Sequence, residues 1–328
     1  MPRVVDSDTM HIPDGFIDTK TALTAGALAA VGTGFALRQV RRELPPRRVP
    51  LLGLAAAFLF AAQMINFPIA GGTSGHLIGG ALVAVLLGPA AGVVVLASVL
   101  IVQCLLFADG GVLALGANIF NMGIVATFTG YGVARLVGLV MPGLRGRVAG
   151  MAFAGWCSAV VASVGCAAQL AWSGTVAWEV ALPAMVGVHM LIGIGEGLIS
   201  ALVLLAVLRT RPDLVLADGP EGKGESLRGI VAYGLLAALG LALFVAPFAC
   251  PWPDGLESVA SKLGFEHRET AHLLAAPAPN YLVPGITSRG LATAVAGAIG
   301  AVVAFGLALI LSRFLVRGAA RGEAADPI

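Results

Sequence analysis

The chain has 328 residues, of which 58% are hydrophobic and 12% charged, with a formal net charge of +2. Its mean hydropathy is +0.92, and a soluble domain carries about 25% charged residues, so a water-soluble globule is excluded. The basic residues are scattered among loops rather than striped along one face, which excludes a nucleic-acid surface.

In chain order, Met1 to Thr9 is polar and lacks the apolar core of a signal peptide. It reads as an appendage or an upstream start. Met10-His11-Ile12-Pro13-Asp14-Gly15-Phe16 follows. With translation starting at Met10, His11 becomes the second residue. A terminal amine, the next amide nitrogen and the imidazole then chelate one ion through five- and six-membered rings. His76, in Gly72-Thr73-Ser74-Gly75-His76, supplies a fourth nitrogen. Four nitrogens in a plane suit Ni(II), Cu(II) or low-spin Co(II). Spacing alone leaves open that both histidines are simply solvated.

A bilayer-crossing helix takes about 20 apolar residues. The apolar runs predict an all-α polytopic bundle with spans near 21–37, 50–69, 76–88, 90–107, 119–141, 149–172, 180–208, 228–249 and 287–312. The third is short, and only Gly88-Pro89 divides it from the fourth. This organises the chain as an extension (1–9), a seven-span unit (10–208), a hydrophilic linker (209–227), a two-span unit (228–316) with an outside loop over 250–286, and a tail (317–328). Nine spans place the termini on opposite faces. With the N-terminus outside, that face keeps only Arg3, Lys20, Lys262, Arg268 and Arg289 of the 20 basic residues, the orientation the positive-inside rule selects. His11 and the His76 loop then share the outer face, and the C-terminus is cytoplasmic.

Cys104, Cys157, Cys166 and Cys250 show no C-x-x-C spacing and read as small core residues. Gly219 to Ser226 lacks the spacing of a phosphate-binding loop, so nothing here predicts nucleotide hydrolysis. Asn118 and Asn121, three apart, either orient a ligand imidazole or cap a helix. Thr73 and Ser74 either shape the His76 loop or cap the third helix. His189 and Glu196 share one face of the seventh span, about 10 Å apart along its axis. Ionisable groups in lipid are functional candidates: they pair with Gln169, Asn66 or a partner subunit, or serve metal passage or coupling. Gly193 with Gly197, and Ala25 with Ala29, form small-residue surfaces suited to close helix packing. Glu257, Glu266, His267, Glu269 and His272 make a polar cluster in the last outside loop, either cation-attracting or merely solvated.

Met10 to Gly15, Gly72 to Gly80, Phe107-Ala108-Asp109-Gly110-Gly111 and Gly116 to Gly123, in that order, closely resemble the substrate-binding M component of cobalt/nickel energy-coupling factor transporters, the CbiM/NikM family. Pro253-Asp254-Gly255-Leu256-Glu257, Lys262 to Phe265 and Pro279-Asn280-Tyr281 resemble the N component with its PDGLE domain, so the chain resembles an M–N fusion. The resemblance implies metal ligands at Met10, His11 and His76, and no cofactor beyond the carried Ni(II) or Co(II). It implies separate scaffold and ATPase partner chains in a prokaryotic cytoplasmic membrane, and the Ala25–Ala29 surface facing the scaffold. The G-T-S-G-H segment is similar to nickel-type rather than cobalt-type members. The nine-residue extension departs from the family pattern.

Two other functions fit parts of the sequence. A metal permease working without ATP would use the same site. An intramembrane serine hydrolase would use Ser74 in Gly72-Thr73-Ser74-Gly75 with His189 as base. That base lies about 14 Å down its span by helical rise, beyond the hydrogen-bond reach a serine nucleophile needs.

Overall fold

The computed structural model describes residues 10–214 and 227–322, without the side chains of 47 and 313–322. The extension expected over 1–9, residues 215–226 of the expected 209–227 linker and the end of the tail over 323–328 lie outside the described residues. The chain is helical almost throughout. Its elements are α1 (Thr19–Glu43), α2 (Val49–Gln63), a hairpin of β1 (Phe67–Ile69) and β2 (Thr73–Gly75), α3 (Gly80–Leu87), α4 (Pro89–Phe107), α5 (Leu115–Asn118), α6 (Ala126–Val140), α7 (Gly143–Trp172), α8 (Trp178–Thr210), α9 (Leu227–Phe244), α10 (Gly255–Leu263) and α11 (Arg289–Gly322). A π-helical turn over Ile119–Val125 joins α5 to α6.

Among the described residues, seven helices are long and apolar enough to cross a membrane: α1, α4, α5–α6, α7, α8, α9 and α11. The second and third expected spans fall short. α2 stops at Gln63 rather than 69, about 22 Å of helix, and α3 is eight residues long rather than running from 76, about 12 Å. Local chemistry explains both. Gly71 and Gly72 take positive φ in the hairpin turn, and Gly79 sits at φ 77 immediately before α3, a backbone region that β-carbons disfavour. The 64–79 stretch therefore folds as a hairpin and an extended segment that re-enters the bundle. The Gly88-Pro89 break occurs as expected, with Gly88 at φ 92 and Pro89 opening α4.

α4 is the hub, and all but a few of its side chains are buried. α7 and α8 pack along their length through glycines. A β-carbon on Gly197 would stand 2.3 Å from the Ala152 carbonyl oxygen, and one on Gly155 would stand 2.9 Å from Gly197 Cα. The close helix packing expected at Gly193 and Gly197 is thus made inside the chain. α9 and α11 lie against α2, where a β-carbon on Gly300 would overlap the Phe60 ring, and the three helices share one buried cluster. Leu23, Phe35, Leu139, Leu202 and Phe244 point outward, as lipid-facing side chains do.

Candidate metal site

Residues 10–17 form no regular element, yet His11 to Asp14 are buried. Their backbone is satisfied by side chains. Asn118 accepts from Ile12 N at 3.0 Å and donates to Ile12 O at 3.1 Å, and Gly111 N donates to the same carbonyl at 2.9 Å. The Asp14 carboxylate accepts from Val112 N and Leu113 N at 3.1 and 2.8 Å. The segment therefore seats flush on the 108–114 turn. A β-carbon at Gly110 would come within 2.9 Å of His11 Cβ, and one at Gly111 within 2.2 Å of Asp14 Oδ1.

This seating sets the two imidazoles face to edge, with ring centroids 5.6 Å apart. His11 Nε2 lies 2.9 Å from Gln103 Oε1 on α4. An amide oxygen only accepts, so Nε2 carries the hydrogen and Nδ1 keeps its lone pair. His11 Nδ1 is buried with no hydrogen-bond partner. His76 contacts carbonyls at both nitrogens, Leu77 O at 3.2 Å from Nδ1 and Met10 O at 3.3 Å from Nε2. Burial, with His11 alongside, pushes the His76 pKa down to about 4, so the ring is neutral at pH 7. A neutral imidazole has one N–H, which leaves one nitrogen to donate a lone pair. The rings border a cavity of about 70 Å³ shared with Met10, Asn118, His189 and Asp254.

Met10 N donates to Asp109 Oδ1 at 2.8 Å, and Asp109 Oδ2 lies 4.0 Å from His11 Nε2. The second part of the chain closes the other side. Ser74 N and Oγ donate to Pro253 O and Trp252 O, both at 2.8 Å, and Thr73 Oγ1 shares a hydrogen with Ser258 Oγ at 2.8 Å. Asp254 caps α10 in a reciprocal box with Glu257, and burial pushes its pKa up to about 7.

Several expected roles change. Asn118 neither orients an imidazole nor caps a helix; it grips the Ile12 backbone. Asn121 exchanges two hydrogen bonds with Gln169, at 2.8 and 3.1 Å, so Gln169 is taken and pairs with neither His189 nor Glu196. Thr73 and Ser74 do not cap α3, which starts six residues after Ser74; they hold the second part of the chain. His189 reaches the shared cavity and bonds back to Met185 O at 2.8 Å. Glu196 is fully buried and accepts from Ile78 N and Gly79 N at 2.6 and 2.9 Å. Ala25 and Ala29 are buried against Ala114, Ala117, Ile119 and Met122, so that surface is covered by the chain itself. The exposed face of α1 carries Leu23, Leu28, Val31 and Phe35 instead. Ser74 Oγ points at the Trp252 carbonyl rather than at an imidazole, which removes the hydrolase reading. Gln103 was not singled out from sequence, and Asp109 and Tyr281 stood there only within the motifs of the resemblance, with no role of their own. A lone glutamine in the apolar run 90–107 was the available signal for the first.

Among the described residues, no three His, Cys, Asp or Glu side chains gather to hold an ion. This includes the acidic and histidine residues of the 250–286 loop. Half-buried Met10 and buried His11 bring main-chain groups beside both imidazoles. Such a bundle defines a polytopic membrane protein built around a small buried nitrogen-donor pocket. Residues 11–214 match the cobalt uptake substrate-specific transmembrane region and residues 228–317 match the PDGLE domain; the chain belongs to that cobalt uptake family and carries a PDGLE domain behind it. It is 36% identical over 307 residues to a putative fused nickel transport protein NikMN of Archaeoglobus fulgidus, covering 93% of this chain and 99% of the relative. A fused nickel transport protein NikMN of Rhodobacter capsulatus is 35% identical over 252 residues, covering 71% of this chain and 72% of the relative. A crystal structure of a truncated transition metal transporter superposes with a TM-score of 0.56 at 35% identity, covering 61% of this chain and 99% of that one.

Proposed function

We propose that this chain is the substrate-specific membrane component of an ATP-driven energy-coupling importer and captures Ni(II) or Co(II) at the outer face of the cytoplasmic membrane. The N-terminus lies outside and the C-terminus inside. The ligands are the amine of Met10 as first residue, the amide nitrogen and Nδ1 of His11, and one ring nitrogen of His76. One observation carries this reading: His11 Nδ1 is buried without a partner while Gln103 fixes the hydrogen on Nε2. Nδ1 is the ring nitrogen that closes a six-membered chelate with the amide nitrogen of the same residue. A second-shell hydrogen bond of this kind fixes the tautomer of a metal-binding histidine.

Asp109 supplies negative charge beside Met10 N. The protein contributes no nucleotide chemistry of its own in this reading; separate scaffold and ATPase chains supply the energy. The test is metal content per chain, for nickel and cobalt, in purified protein starting at Met10 and at Met1. One tightly held ion in the Met10 form alone supports the terminal chelate. Equal binding in both forms rejects the amine as a ligand. Uptake by cells making this chain without ATPase partners would reject the ATP-driven part and leave a permease.

A further inference from the structure

The residues after His76 make an unusual pair of contacts inside the bundle. The chain runs from Gly75 to Gly79 beside α8: a β-carbon on Gly75 would touch Ile192 at 2.8 Å, and Gly79 N bonds Glu196 one turn further along. Two successive main-chain N–H groups, of Ile78 and Gly79, converge on the two oxygens of this one carboxylate. Gln63 Nε2 takes the Ile78 carbonyl from the opposite side at 2.9 Å. Gly79, at φ 77, then turns the chain into α3. Glu196 sits about 27 Å along α8 by helical rise, and both it and Gln63 are fully buried. A buried carboxylate is costly unless it is hydrogen-bonded. This one is held by main-chain groups two and three residues from a proposed ligand.

We propose that Glu196 is the positioning residue of His76: it fixes the turn that points this imidazole at His11, and so ties the geometry of the metal site to the position of α8. This rests on the reading of His76 as a ligand. Any displacement of α8 relative to α3 passes through the Glu196 clamp to His76, and the ion loses one of its four nitrogens. The plainer role for Glu196 is a remote cap on α3, whose own N-cap residue, Gly79, has no side chain to offer. The two roles differ in what they predict for combined variants. A cap contributes to stability whether or not His76 is present. A positioning residue matters to the ion only through His76.

The experiment is a double-mutant cycle on full-length protein starting at Met10, with E196Q, H76A and the pair, read as nickel affinity and the nickel d–d absorption band. Glutamine has the same size but can accept only at one of its two head-group atoms. Loss of an outer-shell partner costs 10–100-fold in metal affinity. E196Q is expected to lose about that factor, with the band moving to longer wavelength as in H76A. The pair is expected to bind no more weakly than H76A alone. Wild-type affinity in E196Q, or a double variant losing the product of both single factors, overturns the proposal. Unchanged binding in H76A instead overturns the metal reading beneath it. If E196Q does not yield folded protein, E196D carries the same cycle. It keeps the buried charge, and its shorter reach must either drop the N–H bonds or pull the turn toward α8. A smaller loss that vanishes in the H76A background supports the proposal, and an additive loss overturns it.

Discussion

Tyr281 and Asp109, one from each part of the chain, meet in a buried hydrogen bond of 2.5 Å in which the tyrosine hydroxyl donates to Oδ2. The other carboxylate oxygen takes Met10 N, so a residue of the PDGLE part holds the acid that holds the start of the buried 10–17 segment. Tyr281 stacks on Phe107, with centroids 4.7 Å apart and planes 11° from parallel. It does so at φ 57, and Asn280 before it sits at φ 53. Left-handed backbone at non-glycine residues costs about 1–2 kcal/mol each, so the stack and the charge-assisted bond must outweigh it. Burial and the neighbouring Asp109 raise the Tyr281 pKa, which keeps the hydroxyl a donor.

Tyr281→Phe should keep the stack and lose only the donor. Hydrogen bonds to charged groups contribute about 1.5–3 kcal/mol, and the remaining oxygen stays buried. A lowered melting temperature is expected, together with weaker nickel binding from a less firmly placed Met10. Unchanged affinity with lowered stability would mean that Asp109 supports the fold but not the site.

Gln103→Leu removes the acceptor from His11 Nε2 at nearly constant volume. The ring is then free to carry its hydrogen on Nδ1, the nitrogen needed for the ion. Affinity for nickel should fall about 10–100-fold with little change in helix content. Gln103→Glu should fall less, because a carboxylate also accepts from Nε2–H. Equal binding by the leucine variant and the native protein would show that the tautomer is not set by α4.

The long spans were legible because continuous apolar runs such as Pro89–Phe107 admit one reading in a membrane protein, and Gly88-Pro89 punctuates them by its own chemistry. The re-entrant segment was not. Leu77-Ile78 looks like the start of a span, and only the left-handed Gly79 and its bonds to Glu196 show otherwise. His11 and His76 stood out as rare polar residues in glycine-rich segments, and the fold does bring their rings together. What was hidden are the groups that place them. Gln103 lies inside an apolar run, and Asp109 and Tyr281 are joined only by tertiary packing of two parts of the chain. No local spacing encodes such pairs. Asn118 and Asn121 were visible as marked residues, but their partners, a backbone segment and Gln169, could not be read from a three-residue spacing.

Gly111→Ala tests the seating of the amino-terminal segment. Its β-carbon would stand 2.2 Å from Asp14 Oδ1 and 2.3 Å from Asp14 N, both on a segment already held by Asn118. Backbone cannot swing away as a flexible side-chain end can, so the segment must lift from the 108–114 turn. Protease cleavage near residues 10–17 should then become detectable in detergent, and nickel should bind at least tenfold more weakly, since one lost ligand costs more than about 1.4 kcal/mol. Native-like protection and affinity would place the close approach elsewhere.

Thr73 and Ser258 provide a measure of how tightly the PDGLE part grips the hairpin that leads to His76. Their hydroxyls are 2.8 Å apart and both residues are buried. Removing one partner strands the other, at a cost of about 1–3 kcal/mol, whereas removing both with shape-similar apolar groups is nearly neutral. Thr73→Val and Ser258→Ala should therefore each lower the melting temperature of the purified chain, and the double variant should recover most of the loss. Nickel affinity should follow the same pattern, because the hairpin positions the extended segment that carries His76. Additive melting losses would show that the two hydroxyls do not meet, and that the PDGLE part is held to the hairpin by the Ser74 contacts and apolar packing alone.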